Sequence, residues 1–454
     1  MKPRRIQNPR VHQASNLRSG KPYHASLQSE TDRTVLVQIE KPVYGGAFLA
    51  RDEGKAIFVP LALPGEQVRV RVVDEKRGYA TAEIEELLIS APERIAPACP
   101  HFGSCGGCQY QHADYDAQLQ IKTVVLRETL ERGGVHVPAD ISVLASHPWG
   151  YRNRIRLAFD AQGNPGYRGR RSHMVVPIRE CPIAAPLLVK GALATADVAR
   201  SFAPALLPAE IALFCDAEEA ALLLTVFVAS PAKIRFDEFA AALRTRIPEL
   251  AGAELVFETA HQPPRRLTQW GTTSLHYRAA GAEYRVDHGA FFQVNRWLVE
   301  ALLERVISGH SGALAWDLFA GVGLFARLLA PSFDQVLAAE SSPAAIAALE
   351  ANLAGTSGAA VRASTLDFLR RHHKGAQPEL VVVDPPRTGL GAEITASLAA
   401  IAPPGLVYVS CDPATLARDL RALLAGGYGV ESIALVDLFP QTFHLETVVC
   451  LQHA

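Results

Sequence analysis

Residues 1–30 are polar and basic with little apolar periodicity, so they read as a flexible tail, and hydrophobic patterning starts near Thr34. Short β-branched runs at 35–40, 56–61, 68–73 and 80–88 then alternate with turn signals at Tyr44-Gly45-Gly46, Pro64-Gly65 and Lys76-Arg77-Gly78. This pattern predicts a small antiparallel barrel over 31–90. A proline-rich link at 91–100 leads into a cysteine-bearing segment, after which Leu119, Ile121, Val124, Val125, Leu126 and Leu130 mark the buried face of a helix. Residues 91–285 mix strands and helices, for example at 212–214, 221–228 and 236–243, and form a central α+β region. From 286 to 454 strand and helix alternate regularly, which predicts an α/β domain built on a doubly wound parallel sheet.

Composition narrows this picture only slightly. With 49% hydrophobic and 20% charged residues in 454, the chain suits several well-buried domains. It shows neither a membrane span nor a signal peptide, so a cytoplasmic protein is expected. The net charge of −1 conceals two basic stretches: Lys2, Arg4, Arg5, Arg10, Arg18 and Lys21 in the tail, and Arg152, Arg154, Arg156, Arg168, Arg170 and Arg171 further on. Either is a solvated surface or a grip for phosphates.

Candidate chemistry gathers at the predicted strand ends of the last domain. The strand-turn-helix segment around Asp317-Leu-Phe319-Ala-Gly321-Val-Gly323 places glycines where a backbone approaches a ligand closely. A second strand at 335–339 ends in Glu340, at the spacing where an acidic residue meets ribose hydroxyls, and Asp367 would lie beside an adenine at the next strand end. Three further motifs follow: Asp384-Pro-Pro-Arg387, Ser410-Cys411-Asp412-Pro413 and Phe439-Pro-Gln-Thr-Phe-His444-Leu-Glu446. In a parallel sheet all three converge on one crevice. A thiolate that adds to carbon 6 of uracil makes carbon 5 nucleophilic, and a base must later remove the carbon 5 proton. Cys411 supplies the thiol, and Glu446 is the motif carboxylate suited to act as base. Spacing alone favours reading Glu446 as a surface or ion-paired carboxylate, and His444 as a structural or supporting residue ahead of a general acid.

Cys99, Cys105 and Cys108 fall within ten residues, and Cys181 offers a fourth thiol. Four thiolates bind zinc or an iron-sulfur cluster, and spacing does not choose between them. Cys215 and Cys450, in apolar contexts, are assigned to packing.

The barrel resembles a TRAM domain, an OB-like RNA-binding module, and the glycine segment resembles the donor loop of class I (Rossmann-like) methyltransferases, which favours S-adenosylmethionine over NAD. The set of motifs resembles the RNA uracil-5-methyltransferase family over nearly all residues after the tail, and within it most resembles enzymes acting on bacterial 23S ribosomal RNA. The resemblance implies Cys411 as nucleophile and Glu446 as base. It implies Gln293, from Phe291-Phe292-Gln293-Val294-Asn295, together with Phe319, Glu340, Asp384 and Asp367 at the donor. It also implies a 4Fe-4S cluster on Cys99, Cys105, Cys108 and Cys181. Two departures stand out: Leu324 replaces an asparagine found in some members, and Pro386 replaces an alanine.

The target base must be single-stranded or flipped out, with Phe291 or Phe292 available for stacking. The expected partner is RNA, 23S ribosomal RNA ahead of transfer RNA, with no membrane and no obligate protein partner. Two other readings are an amino-group methyltransferase, suggested by Asp-Pro-Pro, and a non-catalytic RNA-binding iron-sulfur protein.

Overall fold

A computed structural model describes residues 33–203, 206–230, 234–259, 262–372, 374–375 and 377–453. The basic tail lies outside the described residues.

The first sheet is a closed five-stranded barrel of Thr34–Val43, Ala47–Asp52, Lys55–Pro60, Gln67–Glu75 and Tyr79–Ile89. Its pairs are antiparallel except one, since Lys55–Pro60 runs parallel to Tyr79–Ile89 and closes the barrel. Val37, Ile39, Phe48, Val59, Val68 and Val70 fill its interior by the two-residue alternation seen in the sequence. Helix Tyr115–Arg132 follows, capped by Asp114, whose carboxylate accepts from Ala117 N at 2.8 Å. Its buried face differs from the expected one. Ile121, Val125, Leu126 and Leu130 are buried with Gln118 and Lys122, whereas Val124 is exposed and Leu119 is half-buried.

The central region carries a seven-stranded sheet that includes Arg154–Phe159, Glu210–Cys215 and Leu222–Val228, packed against helices Pro186–Phe202 and Phe236–Arg246. Cys215 is buried in this core, and Cys450 is buried in the C-terminal one.

The C-terminal sheet has eight strands in the order Gly358–Arg362, Phe333–Glu340, Gly312–Leu318, Leu380–Val383, Gly405–Ser410, Glu446–His453, Tyr428–Val436 and Ser142–Leu144. The first five are parallel, as expected. The wholly parallel sheet anticipated from sequence is nevertheless corrected here. Glu446–His453 is antiparallel to both its neighbours, and a three-residue strand from the central region completes the edge. An apolar strand pair joined by the loop 437–445 reads in sequence like any two buried strands, so periodicity does not reveal their relative direction. The strand order reverses between Gly312–Leu318 and Leu380–Val383, and this switch point opens a crevice beyond their carboxyl ends. Among the described residues no helix is long and apolar enough to cross a membrane.

Candidate active site

Phe319 and Asp384 follow directly on the two strands flanking the switch point, joined by Asp384 N donating to Leu318 O at 3.4 Å. Beyond Leu318 the chain turns with Phe319, Gly321 and Gly323 all at positive φ. A Cβ on Gly321 would meet nothing within 4 Å, which leaves the mouth of the turn open, whereas at Gly323 it would collide with Leu349. Phe291, Phe292, Gln293, Phe319, Gly321, Leu324 and Asp384 line one pocket here. Leu324 presents an apolar side chain to it, and its carbonyl accepts from Tyr284 Oη at 3.1 Å. Gln293 is buried with its amide nitrogen 3.5 Å from Asp384 Oδ2. Burial raises Asp384 to about 7. Asp317 below it is also raised by burial, to about 7; one of its oxygens accepts from Ala326 N at 2.9 Å and the other is buried without a partner.

The two remaining expected donor residues, Glu340 and Asp367, are not part of this pocket's lining. Glu340 ends its strand as predicted, but its carboxylate accepts from Gly321 N at 2.8 Å and from Ser341 N and Ser342 N at 2.6 Å, and so shapes the glycine turn. Asp367 lies in the first turn of helix Thr365–His372, exposed, with its carboxylate 2.7 Å from Ser364 Oγ and outside the pocket lining. Phe292 is a core residue, 4.5 Å between ring centroids from Tyr277, whereas Phe291 is 60% exposed at the pocket.

Strand Gly405–Ser410 is a continuous buried apolar run. It ends at Cys411, where helix Pro413–Ala425 begins with Asp412 as cap, accepting from Ala414 N and Thr415 N, and proline in the first turn. The antiparallel register pairs Ser410 with Thr447, and this brings Glu446 beside Cys411. Glu446 is buried; desolvation, and then the nearby Asp384, push its carboxyl well above the usual range, opposed by Arg387. The half-buried Cys411 thiol is pushed up to about 12 by burial, with the charges of Glu446 and Asp384 adding to the effect and Arg387 opposing it. Arg387 reaches His444, Nη2 to Nδ1 3.2 Å, and His444 is held neutral, lowered to about 4 by burial and adjacent cations.

Sequence reasoning missed how the Glu446 loop is held. Lys122 and Asp437 form an ion pair of 2.5 Å, both almost wholly buried, and Lys122 also donates to Phe439 O at 2.9 Å. Gln118 exchanges two hydrogen bonds with Gln441, and Tyr151 Oη donates to Pro440 O at 3.0 Å. Gln109 N and Tyr110 N both donate to Gln441 O. The only local hint is two polar residues interrupting an otherwise apolar helix face.

The four expected metal-ligating cysteines line a single cavity of about 200 Å³ together with the half-buried Arg152, whose buried Nε lacks a partner. Burial raises all four thiols. Among the described residues no group of three or more His, Cys, Asp or Glu side chains is arranged to hold a metal ion. His444 borders this cavity as well as contacting Arg387.

Comparison with known proteins fits this geometry. A family model described as tRNA (Uracil-5-)-methyltransferase matches residues 371–454, and a TRAM domain model matches residues 28–84. The 23S rRNA (uracil(1939)-C(5))-methyltransferase RlmD of Halomonas elongata is 33% identical over 456 residues, covering 94% of this chain and 91% of the relative. The chain belongs to the RNA uracil-5-methyltransferase family. This family member is an S-adenosylmethionine-dependent enzyme that methylates carbon 5 of uracil in RNA, which sets aside both the amino-group and the non-catalytic readings. Another relative, an uncharacterized RNA methyltransferase of Streptomyces avermitilis, is 32% identical over 445 residues, 92% of this chain and 98% of that protein. The crystal structure of Pyrococcus abyssi tRNA (uracil-54, C5)-methyltransferase in complex with S-adenosyl-L-homocysteine shares the fold. Its TM-score is 0.73 at 23% identity, over 91% of this chain and 100% of that one.

Proposed function

We propose that this enzyme methylates a uridine of 23S ribosomal RNA through a covalent bond between Cys411 Sγ and carbon 6 of the uracil, with Glu446 as the base. The observation that carries this reading is the register that sets Glu446 beside Cys411 at the edge of the crevice. Relatives named for 23S ribosomal RNA, matched over almost the whole chain, support the choice of substrate over transfer RNA.

At rest Cys411 is a thiol, and the paired carboxylates Asp384 and Glu446 favour holding protons. Bound S-adenosylmethionine supplies the methyl group and a positive sulfonium. The open glycine turn fits such a ligand, with Gln293, Phe319, Asp384 and Glu340 as its holders and Asp367 at the adenine end. Once the thiol and Glu446 have each released a proton to solvent, Cys411 Sγ adds to carbon 6, and the electron pair of the 5,6 double bond moves toward the carbon 4 carbonyl. Carbon 5 then takes the methyl group. Glu446 removes the remaining carbon 5 proton, the double bond re-forms, and Cys411 leaves as thiolate. Arg387 offsets the charge on both residues.

Cys99, Cys105, Cys108 and Cys181 are read as ligands of a 4Fe-4S cluster, whose role would be to hold the surrounding loops together. What supports this reading is that all four thiols, the usual ligands of such a cluster, line one cavity with the half-buried Arg152, whose cation would offset an anionic centre; as placed, they do not yet close on one metal position. Iron and sulfide analysis of anaerobically purified protein tests this, and stoichiometric zinc would overturn it.

The test of mechanism is Glu446→Gln with 23S ribosomal RNA transcript and donor. A protein–RNA adduct that survives denaturing electrophoresis and vanishes in Cys411→Ala is expected; its absence removes Glu446 as base. Mapping 5-methyluridine in RNA from a deletion strain tests the substrate, and unchanged ribosomal uridines would refute it.

A further inference from the structure

A cleft of about 640 Å³ separates the barrel from the central sheet. One wall is the barrel turn Gly45–Gly46–Ala47 and the opposite wall is the hairpin segment 166–171; Gly106, Gly107 and Phe443 lie between them. Two glycines let these backbones meet. A Cβ on Gly106 would come 2.9 Å from Arg168 O, and one on Gly46 would crowd Gln109 and Phe443 at 3.1–3.3 Å. Hydrogen bonds from Gly106 N to Arg168 O and from Arg170 N to Ser104 O fix the hairpin to the cysteine loop.

Charge and direction both distinguish this cleft. Its lining holds Arg156, Arg168, Arg170 and Arg171 against one carboxylate, Glu210. Arg156 is bonded to Glu210 and Glu258, Arg168 to Glu210, and Arg170 to Glu83, which leaves Arg171 as the cation of this lining without a carboxylate partner among the described residues. Arg171 is exposed, is held at φ 55° and makes no ion pair or side-chain hydrogen bond among the described residues. At its inner end the cleft reaches Phe443, whose ring packs against Tyr44 at 5.9 Å and His444 at 4.3 Å. Tyr44 Oη donates to Asp412, the neighbour of Cys411, at 3.1 Å. A strand entering here is therefore led toward the nucleophile.

We infer that this cleft carries the single-stranded RNA flanking the target uridine, with Arg171 as a phosphate anchor and Phe443 as a stacking surface for the adjacent base. This rests on the proposed function, because the direction of the path matters only if Cys411 is the nucleophile.

Two experiments on the full-length protein separate the two ideas. Binding of a fluorescent oligouridylate is measured against salt concentration for wild type, Arg171→Ala and, as a control outside the cleft, Arg132→Ala. Arg171→Ala is expected to weaken binding several-fold and to reduce the salt slope by about 0.7, the share of one single-strand phosphate, with Arg132→Ala unchanged. Wild-type affinity and slope in Arg171→Ala would overturn the inference, whatever RNA is the true substrate. Photocross-linking then uses a 23S ribosomal RNA transcript with 4-thiouridine at flanking positions. Cross-links in peptides containing Phe443 or segment 166–171 are expected; normal methylation with cross-links only elsewhere would refute the cleft and leave the reading of Cys411 standing.

Discussion

The protonation of Cys411 gives a quantitative test of the site. Its thiol is raised to about 12 from the 9.0 of an unperturbed cysteine. At pH 8 that lowers the thiolate fraction from about 0.1 to about 10⁻⁴, nearly a thousandfold. A more basic thiolate is intrinsically more nucleophilic, which returns roughly 16- to 30-fold. Iodoacetamide should therefore alkylate Cys411 roughly 30- to 60-fold more slowly in the folded protein than in the unfolded chain. Peptide-resolved mass spectrometry over pH 7–10 separates Cys411 from the other six cysteines. The rate should still be rising at pH 10, Glu446→Gln should speed it once the pH is high enough for Glu446 to have lost its proton, and Arg387→Met should slow it. S-Adenosylmethionine, being cationic, should speed it more than neutral S-adenosylhomocysteine. Alkylation at the unfolded rate with an inflection near pH 9 would refute this account.

Other expectations follow from single contacts. Asp384, raised from 3.8 to about 7, contributes stability that is full below its unfolded value and lost as pH rises through about 7. Asp384→Asn should therefore be more stable than wild type at pH 8, by at most about 4 kcal/mol, with the gain shrinking as pH falls from about 7 and gone below about 4 in denaturant titrations. Lys122→Met leaves Asp437 buried and uncompensated; a loss of about 3–5 kcal/mol is expected, with faster hydrogen exchange across residues 437–446. Phe292→Ala should cost about 3–5 kcal/mol, while the exposed Phe291→Ala should stay within about 0.5 kcal/mol and instead raise KM for RNA; equal destabilisation would contradict their different burial.

The parts legible in the sequence were those set by local rules. The barrel strands follow a two-residue alternation, and the chemistry-bearing motifs stand where apolar runs meet glycine, proline or an aspartate cap, so their place at the strand ends could be read directly. Contacts between distant segments could not. Gln118 and Lys122 look like solvated positions on a helix, and become core residues only because their partners lie more than 300 residues away. Phe291 and Phe292 are adjacent and chemically identical, and only the direction of the backbone decides which faces Tyr277. The state of Cys411 is hidden from sequence for the same reason: it is set by burial and by carboxyl groups that arrive on other strands.

That resting state has a consequence for how the site works. A thiol kept protonated beside two carboxyl groups is a poor target for stray electrophiles, so the proposed nucleophile would be protected until positive charge and substrate arrive together. The same carboxylate that suppresses the thiol is the proposed base for its release, so moving the Glu446 loop would disturb activation and elimination together. The loop is pinned from the central region by Lys122, Gln118 and Tyr151, and its Gln441 carbonyl by the segment that carries the cysteines. Loss of the cysteine site would then reach the chemistry through Gln109 and Tyr110, without any electron passing. A Cys181→Ser protein that still folds should accordingly show impaired adduct formation as well as weaker RNA binding, whereas a site serving RNA binding alone would leave the adduct rate at saturating RNA unchanged.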